Sequence, residues 1–238
     1  MDVPYEYADE QHTLIDTAGL RQRSKMDTSV EVFSAMRTEK SIRRSDICLL
    51  VIDLEAGISA MDRKIAQVIQ KEHKPCLIIL NKWDLFHPGM QRSERLEKAE
   101  KQIRTELFFL SYAPFAAVSA KEGQHISQVF GQLTKIREAS KETITTGALN
   151  RLLQDAFELK PPSIHKKFRK RAKLLYATAV VNDRYTAIPV PSYILFVNDK
   201  RLMQENYEQY LSNRIREKYY APAIPIVFSV RSRNRSKS

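Results

Sequence analysis

The stretch Cys76-Leu-Ile-Ile-Leu-Asn-Lys-Trp-Asp84 decides the fold of the first part of the chain. Its first five residues are continuously apolar rather than alternating. Such a run reads as a strand buried on both faces, as in a parallel sheet. It breaks abruptly into Asn81-Lys82-Trp83-Asp84, a polar cluster held at the strand's exit.

The same pattern recurs on either side. Asp46-Ile-Cys-Leu-Leu-Val-Ile-Asp53 is a second continuous apolar strand, and Phe115 to Val118 is a third. Helical spacing separates them: Ile58, Met61, Ile65, Val68 and Ile69 in one stretch, a charged amphipathic segment from Glu94 to Leu110, and Ile126, Val129, Phe130, Leu133 and Ile136 in another. Strand–helix alternation of this kind predicts a doubly wound α/β sheet. Upstream, Asp2 to Tyr7 and Gln11 to Asp16 read as two strands joined at Ala8-Asp9-Glu10.

Beyond about Glu142 the pattern changes. Leu149, Leu152, Leu153, Ala156 and Phe157 share one helical face, ended by Pro161-Pro162. Strands are expected at Leu174 to Val181, Tyr193 to Val197 and Ile224 to Val230, with a helix over Lys200 to Tyr219. The order α-β-β-α-β makes a small α+β sandwich. The expected division is 1–142, 143–230 and a basic, disordered tail over 231–238.

Charge supports two modules. The chain has 238 residues and a net charge of +11. Before Pro161 lie 23 basic and 23 acidic residues; from it onward lie 16 basic and 5 acidic ones. The excess therefore belongs to the second module and implies a polyanionic partner. The two cysteines, Cys48 and Cys76, fall in apolar runs and read as buried thiols. They exclude a disulfide framework and a Cys-rich zinc site, and they fit a reducing cytoplasm. The longest apolar run, Ile47 to Ile52, is far below the roughly 18 residues that span a bilayer, so no membrane partner is expected.

Three short motifs follow one another, each at a strand end. Asp16-Thr17-Ala18-Gly19 suits a phosphate-plus-magnesium site. Asp16 can hold Mg²⁺, directly or through water, and Gly19 lets a backbone N–H approach a terminal phosphate. In Asn81-Lys82-Trp83-Asp84, the Asp84 carboxylate can accept from the N1–H and N2–H edge of guanine. Adenine would leave that carboxylate unpaired, a discrimination of roughly 10⁴-fold or more. Lys82 can lay its methylene stem along the base, and Asn81 can tether neighbouring loops. Ser119-Ala120-Lys121 offers a backbone N–H for the guanine carbonyl. Each motif alone is a common strand-end turn; their order is what makes them specific.

The ordered set resembles a translation-factor-type GTPase domain, and more closely the Der (EngA) family of bacterial ribosome-assembly GTPases. Leu20-Arg-Gln-Arg-Ser-Lys25 and Arg37-Thr-Glu-Lys-Ser-Ile-Arg-Arg-Ser-Asp46 resemble that family as well. So do Lys173-Leu-Leu-Tyr-Ala-Thr178, Phe196-Val-Asn198, Tyr210-Leu-Ser-Asn-Arg-Ile-Arg216 and Pro225-Ile in the second module. The resemblance implies a second GTPase domain followed by a KH-like domain. It further implies GTP/GDP and Mg²⁺ as ligands, GTP hydrolysis in the complete protein, the large ribosomal subunit and its rRNA as partners, and a cytoplasmic monomer with no DNA partner. Leu20 stands where many GTPases carry a water-orienting Gln, so the catalytic water must be positioned by another group.

The family pattern also includes a P-loop ahead of Asp16. None of the six glycines is followed by Lys, so that motif is absent from the chain. The chain is expected to be the C-terminal portion of a Der-like protein, beginning at an internal Met. Losing the P-loop removes most phosphate-binding free energy, and losing its central strand leaves two internal strand edges unpaired.

In the second module, Lys166, Lys167, Arg169, Lys170, Arg171 and Lys173 place six cations within eight residues. They are the expected rRNA contacts, acting through phosphate neutralisation and counterion release. KH domains clamp RNA with a Gly-x-x-Gly loop. None follows Gly147, so a KH-like docking or shape-reading role is implied. The competing reading is a GTP-independent fragment whose basic domain docks on the ribosome. A free-standing metabolic enzyme has no support, because no nucleophile–base or metal spacing occurs.

Overall fold

A computed structural model describes residues 2–7, 10–15, 28–180, 186–219 and 221–232, and for 28–35 the backbone only. The chain divides into two compact units, Met1–Ile136 and Arg137–Ser238.

In the first unit β1 (Asp2–Tyr7) and β2 (Glu10–Ile15) form an antiparallel pair. A separate parallel sheet has the order β3 (Cys48–Asp53), β4 (Cys76–Asn81), β5 (Phe115–Ala117). The intervening helices are α1 (Thr28–Arg44), α2 (Ala60–Lys71), α3 (Arg92–Glu106) and α4 (Ile126–Ala139). α2 begins at a capping box: Ser59 Oγ accepts from the Asp62 N–H at 3.1 Å, and Asp62 accepts from the Ser59 N–H at 2.8 Å. A single 3₁₀ turn, Phe108–Leu110, ends what the sequence reads as one helix to Leu110.

α1 has no counterpart in the hydrophobic periodicity. Its described buried residues are Thr38, Ser41 and Ile42, two of them polar, so no apolar stripe betrays it.

β4 is buried on both faces, as its continuous apolar run requires. Cys48, Leu50, Ile52, Ile78 and Leu80 face one core, with Ile69 and Ile103 from α2 and α3. Leu77 and Ile79 face another, capped by Val129 of α4. The same expectation fails for β3. Leu49 and Val51 are 37% and 57% exposed, because no described element covers that face beside α4. The outer edges of β2 and β3 also lack a ladder partner among the described residues. Both cysteines are buried and free, and burial pushes both thiols up.

In the second unit α5 (Thr146–Leu159) precedes a sheet of order β6 (Leu174–Ala179), β7 (Ser192–Val197), β8 (Val227–Ser232). β6 and β7 are antiparallel; β7 and β8 are parallel and connected through α6 (Glu205–Lys218). Leu149, Leu153 and Ala156 of α5 and Tyr207, Leu211 and Ile215 of α6 pack on Ala177, Tyr193 and Leu195. Asn150 fastens α5 to the sheet edge: its side chain donates to the Ala177 carbonyl and accepts from the Ala177 N–H, both at 2.7 Å.

Two boundaries differ from the sequence reading. The helix expected from Lys200 is a short 3₁₀ turn, Lys200–Leu202, capped by Asp199; Gln204 then returns to extended backbone before α6. Arg231 and Ser232, assigned to the tail, instead close β8 by pairing with Phe196 and Val197. Residues 233–238 of that tail lie outside the described residues.

An open edge beside an exposed apolar strand face is a self-association surface. Val51→Lys is therefore expected to keep the purified chain monomeric at concentrations where the parent assembles. Sedimentation velocity checks this, and equal assembly by both chains would contradict it.

Candidate guanine-recognition loops and cationic module

β4 ends at Asn81, and the chain turns sharply there. Lys82 takes a left-handed backbone at φ 62°, which costs a non-glycine residue about 1–2 kcal/mol. Local bonds hold the turn. The Trp83 N–H donates to the Val118 carbonyl at 3.0 Å, and the Leu85 N–H to the Lys82 carbonyl at 3.0 Å. The Trp83 ring lies in the core, stacked on Phe86 with centroids 5.7 Å apart and covered by the Arg95 guanidinium at 4.2 Å. Its contribution to the loop is therefore structural.

Asn81 joins the second and third motifs. Its Oδ1 accepts from the Ala120 N–H at 3.0 Å. The Ser119 loop is closed by an antiparallel bridge to Gln124, and Ser119 Oγ accepts from the Glu122 N–H at 3.2 Å. Four backbone donors of this loop, those of Ser119, Ala120, Glu122 and Gln124, are thus used. The Lys121 N–H makes no hydrogen bond among the described residues, and the Lys121 side chain is exposed, 3.7 Å from Glu122. Asp84 is half-buried, and its carboxylate has no partner among the described residues.

Lys82 is held by a pair of acids that the sequence reading did not single out. Its Nζ lies 2.9 Å from Asp53 and 2.7 Å from Glu55. Asp53 registers directly against Asn81 across the β3–β4 ladder, which brings it within reach. The two carboxylates raise the Lys82 ammonium above its ordinary value. Burial pulls the Asp53 carboxyl up, but Lys82 and the N–H groups of Ala56 and Glu55 outweigh it, leaving the net shift downward. The available signal was the recurrence of an acid at two strand ends, Asp53 and Asp84.

Asp16, Thr17, Ala18, Gly19 and Leu20 lie outside the described residues, as does the segment Leu20 to Lys25. The structure therefore joins the second and third motifs and does not describe the first.

In the second unit the six cations are all exposed. They sit on a folded turn rather than a loose loop. His165 bridges Lys170, and the Arg169 N–H donates to the His165 carbonyl at 2.9 Å. Phe168 is covered by the Arg201 guanidinium at 4.5 Å. Asn198 staples the turn's exit to the end of β7: it accepts from the Lys173 N–H at 2.9 Å and donates to the Arg171 carbonyl at 3.0 Å.

These features define a class: an α/β unit with GTPase-type strand-end loops, followed by a KH-like α+β unit. The description "50S ribosome-binding GTPase" matches residues 2–82, and "KH-domain-like of EngA bacterial GTPase enzymes, C-terminal" matches residues 143–231. GTPase Der of Akkermansia muciniphila is 55% identical over 236 residues, covering 99% of this chain and 51% of that protein. GTPase Der of Staphylococcus carnosus is 37% identical over 234 residues, covering 98% and 51%. A solved structure of Era in complex with MgGDPNP and nucleotides 1506–1542 of 16S ribosomal RNA overlays with a TM-score of 0.47 at 14% identity, covering 98% of this chain and 81% of that one. By sequence the chain belongs to the Der (EngA) family, and it spans about half the length of the curated relatives it matches. Among the described residues no helix is long and apolar enough to cross a membrane.

Asp199, beside the cationic turn, tests the local electrostatics. The Arg201 side chain and backbone N–H hold its carboxyl down to about 2. A depressed carboxyl contributes stability above its unfolded value of about 4 and loses it as pH falls toward 2. In Arg201→Gln, which keeps the backbone N–H, the Asp199 carboxyl resonance is expected to titrate higher than in the parent, part of the way back toward about 4, by NMR. An unchanged midpoint would assign the shift elsewhere.

Proposed function

We propose that the first unit is the guanine-reading part of a Der-type GTPase and the second its RNA-docking module. GTP is hydrolysed to GDP by the complete protein, in the cytoplasm, in service of large-subunit assembly. The observation that carries this reading is the Asn81–Ala120 bond, which brings two guanine-type loops together beside Asp84, unpartnered among the described residues. Asp84 accepts from N1–H and N2–H of the base, and the Lys121 N–H meets its carbonyl. The Lys82 stem lies along the ring while Asp53 and Glu55 hold its ammonium. By the family resemblance Asp16 would hold Mg²⁺, and Thr17, Ala18, Gly19 and Leu20 would serve the terminal phosphate; all five lie outside the described residues. Lys166, Lys167, Arg169, Lys170, Arg171 and Lys173 meet rRNA phosphates.

The chain by itself is expected to prefer GDP to ADP, weakly and without dependence on magnesium. Trp83, the sole tryptophan, reports binding by its fluorescence. Asp84→Asn removes a charge-assisted pair of hydrogen bonds. It should weaken GDP binding about a hundredfold, at about 3 kcal/mol, and improve binding of xanthosine diphosphate, whose C2 carbonyl can face the new amide. Equal affinity for GDP and ADP would overturn the guanine reading. Tight, magnesium-dependent GTP binding by the chain alone would overturn the account of its phosphate site.

The RNA reading is tested by salt. With single-stranded RNA, each lost phosphate contact reduces the slope of log K against log salt by about 0.7. The double variant Lys166→Ala, Lys167→Ala is therefore expected to flatten it by about 1.4. A parent affinity that barely responds to salt would contradict the electrostatic account.

A further inference from the structure

The sheet of the second unit has one face covered by α5 and α6 and another whose residues are half-buried or exposed. Alternation along the strands sets the difference. Ala177, Tyr193, Leu195 and Val197 point to the helices and are buried. Tyr176, Ile194, Phe196, Ser229 and Arg231 occupy the other face.

On that face Tyr176 and Phe196 are register partners, and their rings stack with centroids 4.3 Å apart and planes 15° from parallel. Tyr176 is 50% exposed, large for an aromatic side chain in a strand. Arg231 pairs with Phe196 from the other side and is exposed. One row across the sheet thus reads Tyr, Phe, Arg.

The row opens on the cationic end of the unit. β6 begins, and β7 and β8 end, at the same edge. Asn198 ties that edge to the basic turn, and the Lys200 N–H ties it to Ser232 Oγ at 2.8 Å. Asp199, the acid there, is neutralised by Arg201 at 2.6 Å. The result is an aromatic floor beside a cluster of exposed cations.

We propose that this face is a stacking platform for unpaired RNA bases, with Tyr176 as the outer ring and the basic turn holding the flanking phosphates. The proposal rests on the RNA reading above and names the kind of RNA it takes. A protein surface would use the exposed ring as well, but it would not need uncompensated positive charge at the rim. Duplex RNA presents no free ring faces, so it would use the cations and leave Tyr176 idle. Recognition by stacking is sequence-tolerant, which agrees with the absence of a Gly-x-x-Gly clamp.

The test uses the full chain with a short oligouridylate and with duplex RNA of equal phosphate count. Tyr176→Ala is expected to weaken the single strand about tenfold and leave the duplex within about twofold. Tyr176→Phe should keep parental affinity, because it keeps the ring. A single strand carrying 2-aminopurine should be quenched on binding to the parent and to Tyr176→Phe, but not to Tyr176→Ala. If the single strand and duplex bind the parent equally and Tyr176→Ala changes neither, the platform falls. The RNA reading then stands, and the face is left to a protein. If the parent binds neither RNA, the underlying reading falls with it.

Discussion

Strand β4 is the constraint on which the first unit depends. It pairs on both sides and is covered on both faces, so its position is over-determined. That fixity sets the exit of Asn81 and, through the Trp83 N–H, the spacing to Val118 at the end of the neighbouring strand. The left-handed Lys82 is affordable only because the strand before it and the Trp83 ring after it are locked in the core. The loops can therefore present Asp84 and the Lys121 N–H at set positions although the Asp84 carboxylate has no partner among the described residues.

The same sheet explains what is unfinished. β3 is secured by β4 on one edge and one face only. Its hydrophobic outer face and free edge call for both a strand and a cover, which a strand–helix segment would supply together. The β1–β2 pair has its own attachments: Tyr7 stacks on Phe130 of α4 at 4.3 Å, and Asp2 meets Arg44 of α1 at 2.5 Å. Tyr5 and His12 also meet the Phe130 ring, but ring contacts to one side chain and a half-exposed ion pair are weak compared with a buried ladder. The guanine reading thus rests on loops at the end of the best-determined strand.

Much of this was legible in the sequence because burial leaves a strong signature. The continuous apolar runs gave β3, β4 and β5, and the periodic leucines gave α5. The second and third motifs, each weak alone, meet through the Asn81–Ala120 bond, while the first lies outside the described residues. Three things were not legible. α1 buries Thr38 and Ser41 and so imitates a polar linker. The tether of Lys82 to Asp53 and Glu55 depends on strand register, which a single sequence does not display. The Tyr176–Phe196 pair needed both the register and a bulge near Leu175, without which Tyr176 would have pointed toward the helices.

Under the proposed reading the two units would use opposite physics for recognition. In the first, guanine affinity would depend on a few directional bonds from a rigid scaffold, so salt would matter little and a single carboxylate much. In the second, the positive excess belongs to the chain from Pro161 onward and six exposed cations share one turn, so under the RNA reading attraction would be long-ranged and would fall as salt rises. Such a field cannot distinguish one RNA from another by itself, because every RNA carries the same phosphates. Any selectivity has to come from a short-ranged group placed inside the field. Among the described residues of this unit, the exposed Tyr176 ring stacked on Phe196 has the position and the chemistry to supply it.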